Sequence, residues 1–267
     1  MKICTEVKIM QLTVLGCWGP YPRAGGACSG YLIRDGGISI LLEAGSGSLS
    51  RLMNYIDFRS LDAVIITHLH HDHYLDLFPL RHAVEGARRA GSHNAPLKLY
   101  IPNRPAGEFG LLDSYRNAFE VIAIESLPVE TITGGFTSRR VDISELTVRL
   151  VATKHSLPGY AVSFGGAGGL VFSSDTARTE GLIALAGGAS LFLCEASGLD
   201  RDAGYLKDIH LTARQAGEVS KTAGVKQLLI THFWPEYDPM ELSAQAAAAF
   251  GNHVTAVQEG ETYISVP

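Results

Sequence analysis

The chain has 267 residues, of which 46% are hydrophobic and 18% charged, so it can bury a sizeable core as a single α/β domain. Its formal net charge of -5 and pI near 6.0 give no overall attraction to a polyanion, and a nucleic acid would need a local basic patch. We therefore expect a small anionic substrate and no nucleic acid binding.

The amino-terminal segment has neither an apolar run of signal-peptide length nor a cleavage site, and residues 1–9 are expected to be an extension ahead of the first strand. The four cysteines, at positions 4, 17, 28 and 194, lack CxxC spacing, which is typical of a reducing compartment. No apolar stretch approaches the roughly 18 to 20 residues that span a bilayer. These features predict a cytoplasmic protein without membrane association.

Short β-rich runs alternate with helical patterns along the chain. The predicted strands are QLTVLG, GYLIRDGGISILLEAG, AVIITH, LKLYIP, LTVRLVATKH, YAVSF, GLVFSSD, LFLCEAS, QLLITHF and HVTAVQEG. The predicted helices are GSLSRLMNYI, YLDLFPLRHAVEGARRAG, TEGLIALAGG, TARQAGEVSKTAGV and MELSAQAAAAF. Because strand groups occur in both halves, we predict two sheets packed face to face with helices outside, in one domain over residues 1–267.

Polar side chains follow the apolar runs at five places, where strands are predicted to end. They are His68, His155, Asp175, Glu195 and His232. In layered α/β folds the carboxyl ends of strands direct side chains into a shared crevice. A single histidine in such a position is more often structural, but five such residues together indicate a functional site.

The densest polar segment is HLHHDH, which places four histidines and an aspartate at positions 68–73. A protein core disfavours this composition, because unpaired polar groups are costly to bury. Imidazole and carboxylate suit Zn²⁺, Mn²⁺ or Fe²⁺, and no neighbouring thiolate favours a structural zinc.

With the residues that follow later strands, the segment gives seven candidate metal ligands. They are His68, His70, Asp72, His73, His155, Asp175 and His232. Seven ligands are too many for one tetrahedral ion. We therefore predict two divalent transition-metal ions, bridged by Asp175 and a hydroxide, with zinc as the expected metal and manganese or iron as alternatives.

These motifs resemble those of a known family. THLHHDH matches the HxHxDH signature of the metallo-β-lactamase superfamily, and KHSLPGY, FSSDT and THF look like its later metal-binding motifs. Within the superfamily, CEAS followed by HLTARQAG and LLITHF is similar to the ribonuclease Z branch of phosphodiesterases. The match spans almost the whole chain, and it implies an α/β fold of the four-layer αββα sandwich type.

The resemblance also implies a role for each candidate. One ion would be held by His68, His70 and His155. The other would be held by Asp72, His73 and His232, with Asp175 bridging the two. The candidate catalytic residues are Asp72, Glu195 and His210, because Glu195 and His210 match a pair that protonates the leaving oxygen in the ribonuclease Z branch. The alternative interpretation of this pair is a surface carboxylate and a polar residue at a helix start.

Two carboxylates near these motifs are ambiguous. Glu43 stands where the family usually has an aspartate, and we expect its longer side chain to shift the hydrogen bonds that support the metal-binding loop without touching the ligands. Asp76 either orients a ligand imidazole or is a solvated carboxylate at a helix start. His71 occupies the variable position of HxHxDH and is expected to point away from the site.

The length of one connection bears on the substrate. Ribonuclease Z proteins that process transfer RNA carry a protruding arm between the third metal motif and the bridging aspartate. Here only nineteen residues, 156–174, separate His155 from Asp175, and they predict a strand, a tight turn and a strand. The spacing therefore disfavours the arm.

We accordingly predict a metal-dependent phosphodiesterase for a small phosphodiester such as a cyclic nucleotide, and GCWGPYPRAGGACSGYLI resembles the opening of such short-form relatives. Three alternatives remain open: a transfer RNA 3′-end endonuclease, a thioester or lactone hydrolase, and a non-catalytic metal or nucleotide sensor. Because relatives of this kind often pair, a homodimer is a further expectation.

Overall fold

The computed structural model describes residues 9–166 and 168–265, in which two β-sheets pack face to face with helices on both outer surfaces. This arrangement confirms the predicted four-layer α/β sandwich. Of the proposed amino-terminal extension only Ile9 is described, directly before the first strand, and Cys4 lies outside the described residues.

The first sheet has seven strands, in the spatial order β15-β1-β2-β3-β4-β5-β6. They are β1 (Met10–Gly16), β2 (Gly30–Asp35), β3 (Ile38–Ala44), β4 (Ala63–Ile65), β5 (Leu97–Ile101), β6 (Phe119–Ala123) and β15 (Thr262–Ser265). Side chains alternate between the two faces of the sheet. In β3, Ile40 and Leu42 belong to the main core cluster that fills the space between the sheets, whereas Leu41 packs with the helices outside.

The second sheet has eight strands, in the spatial order β14-β13-β12-β11-β10-β9-β8-β7. They are β7 (Val129–Thr131), β8 (Thr137–Ile143), β9 (Leu146–Ala152), β10 (Tyr160–Phe164), β11 (Leu170–Phe172), β12 (Leu191–Glu195), β13 (Gln227–Thr231) and β14 (Val254–Ala256). Strands β11 to β14 are parallel, and β9 runs in the same direction because β10 is antiparallel to both β9 and β11. The carboxyl ends of β9, β11, β12 and β13 therefore share one edge.

Four helices accompany each sheet. They are α1 (Ser48–Leu52), α2 (His71–Tyr74), α3 (Leu77–Arg89) and α4 (Ala106–Asp113), then α5 (Glu180–Leu185), α6 (Ala203–Leu206), α7 (Ala213–Ala223) and α8 (Pro239–Phe250). Helix α7 begins with a capping box between Thr212 and Gln215, and it ends at Gly224 in the left-handed conformation that glycine adopts readily. None of the helices in the described part of the chain combines the length and apolarity needed to cross a bilayer.

The sequence pattern missed several elements and merged two others. The unpredicted elements are β6, β7, β8, β15, α2, α4 and α6, and the run GYLIRDGGISILLEAG merged β2 with β3. Strands β7 and β8 lie at the end of the sheet, and β8 carries charged side chains such as the exposed ion pair Arg140–Asp142, so no apolar run marks it. The helix predicted over residues 74–91 begins later, at Leu77, and the backbone N–H of Asp76 just before it donates to the carbonyl of Ala44.

Candidate metal and catalytic site

The residues predicted at strand ends come together in one crevice. His68 follows β4, His155 follows β9, Asp175 follows β11, Glu195 ends β12 and His232 directly follows β13. The first comes from one sheet and the other four from the second, so the site lies at the edge where the carboxyl ends of both sets of strands meet. Rigid strands position side chains more precisely than free loops do.

The rest of the HxHxDH segment forms a single helical turn. Asp72 and His73 lie on α2, and the backbone N–H of His73 donates to the carbonyl of His70 at 3.0 Å. Both are buried, whereas His71 on the same turn is exposed and its ring contacts Tyr74. The turn thus directs two side chains inward and one outward, as the sequence predicts for His71.

The first group of candidate ligands consists of His68, His70, His155 and Asp175, whose ligand atoms lie within 4.8 Å of one another. Nδ1 of His70 is 3.1 Å from Nε2 of His68 and 3.0 Å from Nε2 of His155. His155 donates its Nδ1–H to the carbonyl of Ile209 at 2.6 Å, so Nε2 is the nitrogen free to bind a cation.

Burial keeps these imidazoles neutral, which is the form that binds metal. Burial and the neighbouring His155 lower the pKa of His70 to about 4. Burial, with His73 close by, lowers the pKa of His68 well below its usual range. A neutral imidazole offers a lone pair at neutral pH, so protons compete weakly for this group of ligands.

The second group consists of Asp72, His73 and His232. Oδ2 of Asp72 lies 3.3 Å from Nε2 of His232 and 3.5 Å from Nε2 of His73. Burial lowers the pKa of His73, but the carboxylates of Asp175 and Asp72 outweigh it and raise that pKa well above its usual value. The two carboxylates therefore make this part of the crevice attract positive charge.

Asp175 contacts both groups through one oxygen. Its Oδ2 is 3.6 Å from Nε2 of His68, 3.5 Å from Nε2 of His73 and 3.4 Å from Nε2 of His232. Burial raises the pKa of Asp175, but the surrounding histidines outweigh burial and hold it well below its usual range. A carboxylate between two sets of imidazoles has the position that bridging two cations requires.

The chemistry of the crevice fits a pair of divalent ions. Among the described residues, Nε2 of His73 and Oδ1 of Asp175 are buried without a hydrogen-bond partner. Buried polar atoms in proteins are nearly always satisfied, and a bound cation would satisfy both. The ligand set contains only imidazole and carboxylate, which suits a catalytic transition metal.

A second polar network lies beside the two groups. Nδ1 of His210 is 3.1 Å from both carboxylate oxygens of Glu195, and it is 3.9 Å from Oδ2 of Asp175. Glu195 is fully buried, and its Oε1 accepts from the backbone N–H of Thr176 at 2.5 Å. Burial lowers the pKa of His210, but Glu195 outweighs it and raises the pKa to about 9.

Ser197 connects this pair to the second group, and no role was predicted for it although it ends the CEAS motif. Its hydroxyl donates to Oε2 of Glu195 at 2.5 Å and lies 2.9 Å from Nδ1 of His232. The position two residues after the strand-end glutamate is the only signal that could have identified it. Glu195 thus orients His210 directly and His232 through Ser197.

The structure corrects both expectations about the nearby carboxylates. Glu43 does contact a candidate ligand, because its Oε2 lies 3.3 Å from Nδ1 of His73, although without the alignment of a hydrogen bond. Asp76 neither orients an imidazole nor stands in solvent: it is half-buried and accepts from the backbone N–H of Leu49 at 2.8 Å. Its carboxylate therefore satisfies a backbone donor of α1.

Three residues at the site have a positive φ, a backbone conformation that residues other than glycine rarely adopt. Their φ values are 61° at Glu43, 54° at Ser174 and 58° at His232. Such conformations cost of order 1–3 kcal/mol each and cluster at functional sites. Here they turn the chain sharply at the ends of β3, β11 and β13, where the side chains enter the crevice.

Comparison with known proteins agrees with this geometry. Residues 38–233 match the family described as the Beta-lactamase superfamily domain. The chain is 30% identical over 253 residues to the probable metallo-hydrolase YhfI of Bacillus subtilis (strain 168), covering 94% of this chain and 98% of that protein. The crystal structure of YhfI superimposes with a TM-score of 0.86 at 28% identity, covering 96% and 99% of the two chains.

Ribonuclease Z proteins are similar over almost the whole chain as well. Ribonuclease Z of Bradyrhizobium diazoefficiens is 29% identical over 292 residues, covering 91% of this chain and 96% of that protein. The short form of human tRNase Z shares the fold, with a TM-score of 0.72 at 20% identity over 96% and 99% of the chains. These findings confirm the resemblance stated from the sequence motifs: the chain belongs to the β-lactamase superfamily and is a metallo-hydrolase of that fold.

Proposed function

We propose that this metallo-hydrolase is a phosphodiesterase that cleaves a small phosphodiester, such as a cyclic nucleotide, at a centre of two divalent ions, with zinc as the expected metal. The observation that carries the proposal is the contact between the buried Glu195 and the half-buried His210 beside the two ligand groups, with Nδ1 of His210 3.1 Å from both carboxylate oxygens. Such a pair is suited to protonate a basic leaving oxygen.

The seven ligands would be divided between the two ions as the resemblance implies. One ion would be held by His68, His70 and His155. The other would be held by Asp72, His73 and His232, with Asp175 between them. Bound there, the ions would lower the pKa of a water and stabilise charge on the phosphoryl oxygens. Asp72 would contribute to catalysis by holding the second ion rather than by contacting the substrate.

His210 supplies the proton that an alkoxide needs on departure. Its Nδ1 is held by Glu195, so Nε2 is the nitrogen available to the substrate. With its pKa raised to about 9 by Glu195 despite burial, His210 carries a proton at neutral pH. General acid catalysis of this kind typically contributes about 10²- to 10⁴-fold. A thioester, which releases a weakly basic thiolate, would gain little from such a donor.

A second candidate activity, cleavage of transfer RNA precursors, is favoured by the similarity to ribonuclease Z of Bradyrhizobium diazoefficiens. The net charge of -5 opposes it, and so does the compact link from His155 to Asp175, in which β10 and β11 pair directly, Phe164 opposite Leu170. We expect weak binding of precursor transfer RNA that is lost between about 50 and 200 mM salt. A salt-resistant submicromolar complex with cleavage at the 3′ end would establish the ribonuclease activity instead.

The proposed function is tested by a substrate screen with the metal-loaded protein. The probes are 3′,5′-cyclic AMP, bis(p-nitrophenyl) phosphate, a thioester and a lactone. We expect kcat/KM to be highest for the phosphodiesters. A higher kcat/KM for the thioester or lactone would contradict the proposal. Full metal content without turnover of any probe would indicate a sensor.

A further inference from the structure

A cavity of about 230 Å³ opens beside the candidate proton donor. His210 and His232 form part of its lining, so it adjoins both the leaving-group side of the proposed reaction and the second ligand group. It is smaller than the roughly 300–1,000 Å³ of pockets that enclose whole drug-sized ligands. The cavity therefore has room for one ring system of a substrate rather than for a whole oligonucleotide.

The lining selects for an uncharged, flat group. The remaining walls include Pro20, Tyr205, Leu206, Ile209 and Trp234. Among the described residues that line the cavity, none is a lysine, arginine, aspartate or glutamate. The hydroxyl of Ser197, which also reaches the cavity, is already engaged by Glu195. Apart from His210, which is assigned to the leaving oxygen, the lining offers a phosphate no charged partner, whereas an aromatic ring would find rings to stack on.

Trp234 is held in place before any substrate binds. Its indole Nε1–H donates to the hydroxyl of Tyr21 at 3.3 Å, and that hydroxyl donates to Oε1 of Glu236 at 2.7 Å. The ring of Tyr237 packs edge-on against it, with centroids 6.0 Å apart. Trp234 is half-buried and lies only two residues after His232, so its position is tied to the ligand loop.

We propose that this cavity binds the base of a nucleotide phosphodiester on the leaving-group side, and that Trp234 is the residue that determines this specificity. The inference rests on the proposed phosphodiesterase function, because it uses His210 to mark the leaving oxygen. Stacking of a base on an aromatic side chain contributes about 1–3 kcal/mol when judged by alanine substitution, which corresponds to roughly 5- to 150-fold in binding.

The kinetic test compares 3′,5′-cyclic AMP with ribose 3′,5′-cyclic phosphate, which has the same cyclic diester but no base or other aromatic ring, on the metal-loaded protein. Trp234→Ala should lower kcat/KM for cyclic AMP by roughly 5- to 150-fold and have a much smaller effect on the diester without a base. Trp234→Phe, which keeps a ring, should retain most of the activity toward cyclic AMP. Tyr55→Ala removes a partly exposed ring outside the cavity and should behave as wild type. Equal losses on both diesters would show that Trp234 only supports the His232 loop and would overturn the inference.

A binding measurement separates this inference from the proposed function. We expect calorimetry to show that AMP binds the wild-type protein more tightly than ribose 5-phosphate, and that Trp234→Ala abolishes the difference. If no diester is hydrolysed but this preference is present and lost in the variant, the cavity assignment stands and the phosphodiesterase proposal fails. If diesters are hydrolysed but AMP has no advantage over ribose 5-phosphate, the cavity assignment is wrong and the activity stands.

Discussion

Oε2 of Glu43 lies 3.3 Å from Nδ1 of His73, and both side chains are fully buried. The other oxygen of Glu43 accepts from the backbone N–H of Thr67 at 2.9 Å, one residue before His68. One carboxylate thus supports a candidate ligand of the second group and the backbone that leads into the first. Outer partners of this kind orient ligand imidazoles and strengthen them as donors to the metal.

Replacing Glu43 by glutamine should weaken metal binding at the second group. A glutamine can still accept from Thr67, but its amide NH₂ would face the Nδ1–H of a metal-bound His73. We expect the affinity for the weaker-bound ion to fall by roughly 10- to 100-fold, measured by competition with a chelator. Glu43→Asp keeps the charge and should lose less. Unchanged affinity in Glu43→Gln would mean that the contact with His73 has no influence on metal binding.

Gly19 allows the loop after β1 to lie directly on a candidate ligand. A Cβ at this position would overlap the imidazole of His232, which is buried and held by Ser197 and Asp72. Gly19→Ala should therefore displace His232, lower metal content at the second group and destabilise the fold by about 1–3 kcal/mol. The measurements are elemental analysis and thermal unfolding.

Gly86→Ala is the matched control, because nothing lies within 4 Å of the added Cβ and the residue is inside α3. This control should keep its metal and gain stability by roughly 0.5–1 kcal/mol. Full metal content in Gly19→Ala would show that the loop moves aside and that the close approach of Gly19 to His232 does not affect metal binding.

Asp175 is expected to control the occupancy of both ions. Removing the carboxylate would leave two cations about 3.5 to 4 Å apart with less negative charge between them, so at least one should be held more weakly. Elemental analysis of Asp175→Ala should find fewer ions per chain than in wild type. Asp57→Ala, which removes an exposed carboxylate, should retain the wild-type content. Two tightly held ions in Asp175→Ala would exclude the bridging role.

Local patterns made the candidate ligands predictable, because the HxHxDH segment and the apolar runs before Asp175 and His232 are each contained within a few residues. The parallel direction of β11, β12 and β13 then brings those strand ends to one edge. Glu43 and Ser197 could not be assigned in this way. Glu43 reaches His73 because β3 pairs with β4, the strand that leads toward α2, and Ser197 reaches His210 and His232 across 13 and 35 residues of sequence.

The edge elements escaped prediction for a different reason. Strand β8 has two arginines and an aspartate among its seven residues and only two buried positions, and its pairing partner β7 has only three residues, so neither shows a continuous apolar run. The sequence does mark Glu43 as unusual, because it is a charged residue that directly follows the apolar residues of β3 in the run ISILLE. That signal indicates burial of a carboxylate without identifying its partner.

The pH dependence should report the protonation of His210. Glu195 outweighs burial and raises the pKa of His210 to about 9, so the acid form is present below that pH and is lost as the pH rises through it. Bound cations nearby would disfavour the positive charge of the protonated imidazole and lower the pKa of His210. The decline in kcat should therefore be centred at or below pH 9. We expect kcat for cyclic AMP to show this decline, whereas kcat for bis(p-nitrophenyl) phosphate does not. Identical profiles for the two substrates would exclude His210 as the acid.

The most direct measurement of the central claim is the effect of His210→Ala on two diesters whose leaving groups differ in basicity. An alkoxide needs a proton on departure and a p-nitrophenolate needs little help, so the variant should lose about 10²- to 10⁴-fold in turnover of cyclic AMP and far less on bis(p-nitrophenyl) phosphate, with metal content unchanged. Equal losses on the two substrates, or undiminished turnover of cyclic AMP, would contradict the assignment of Glu195 and His210 as the proton-donating pair of a phosphodiesterase.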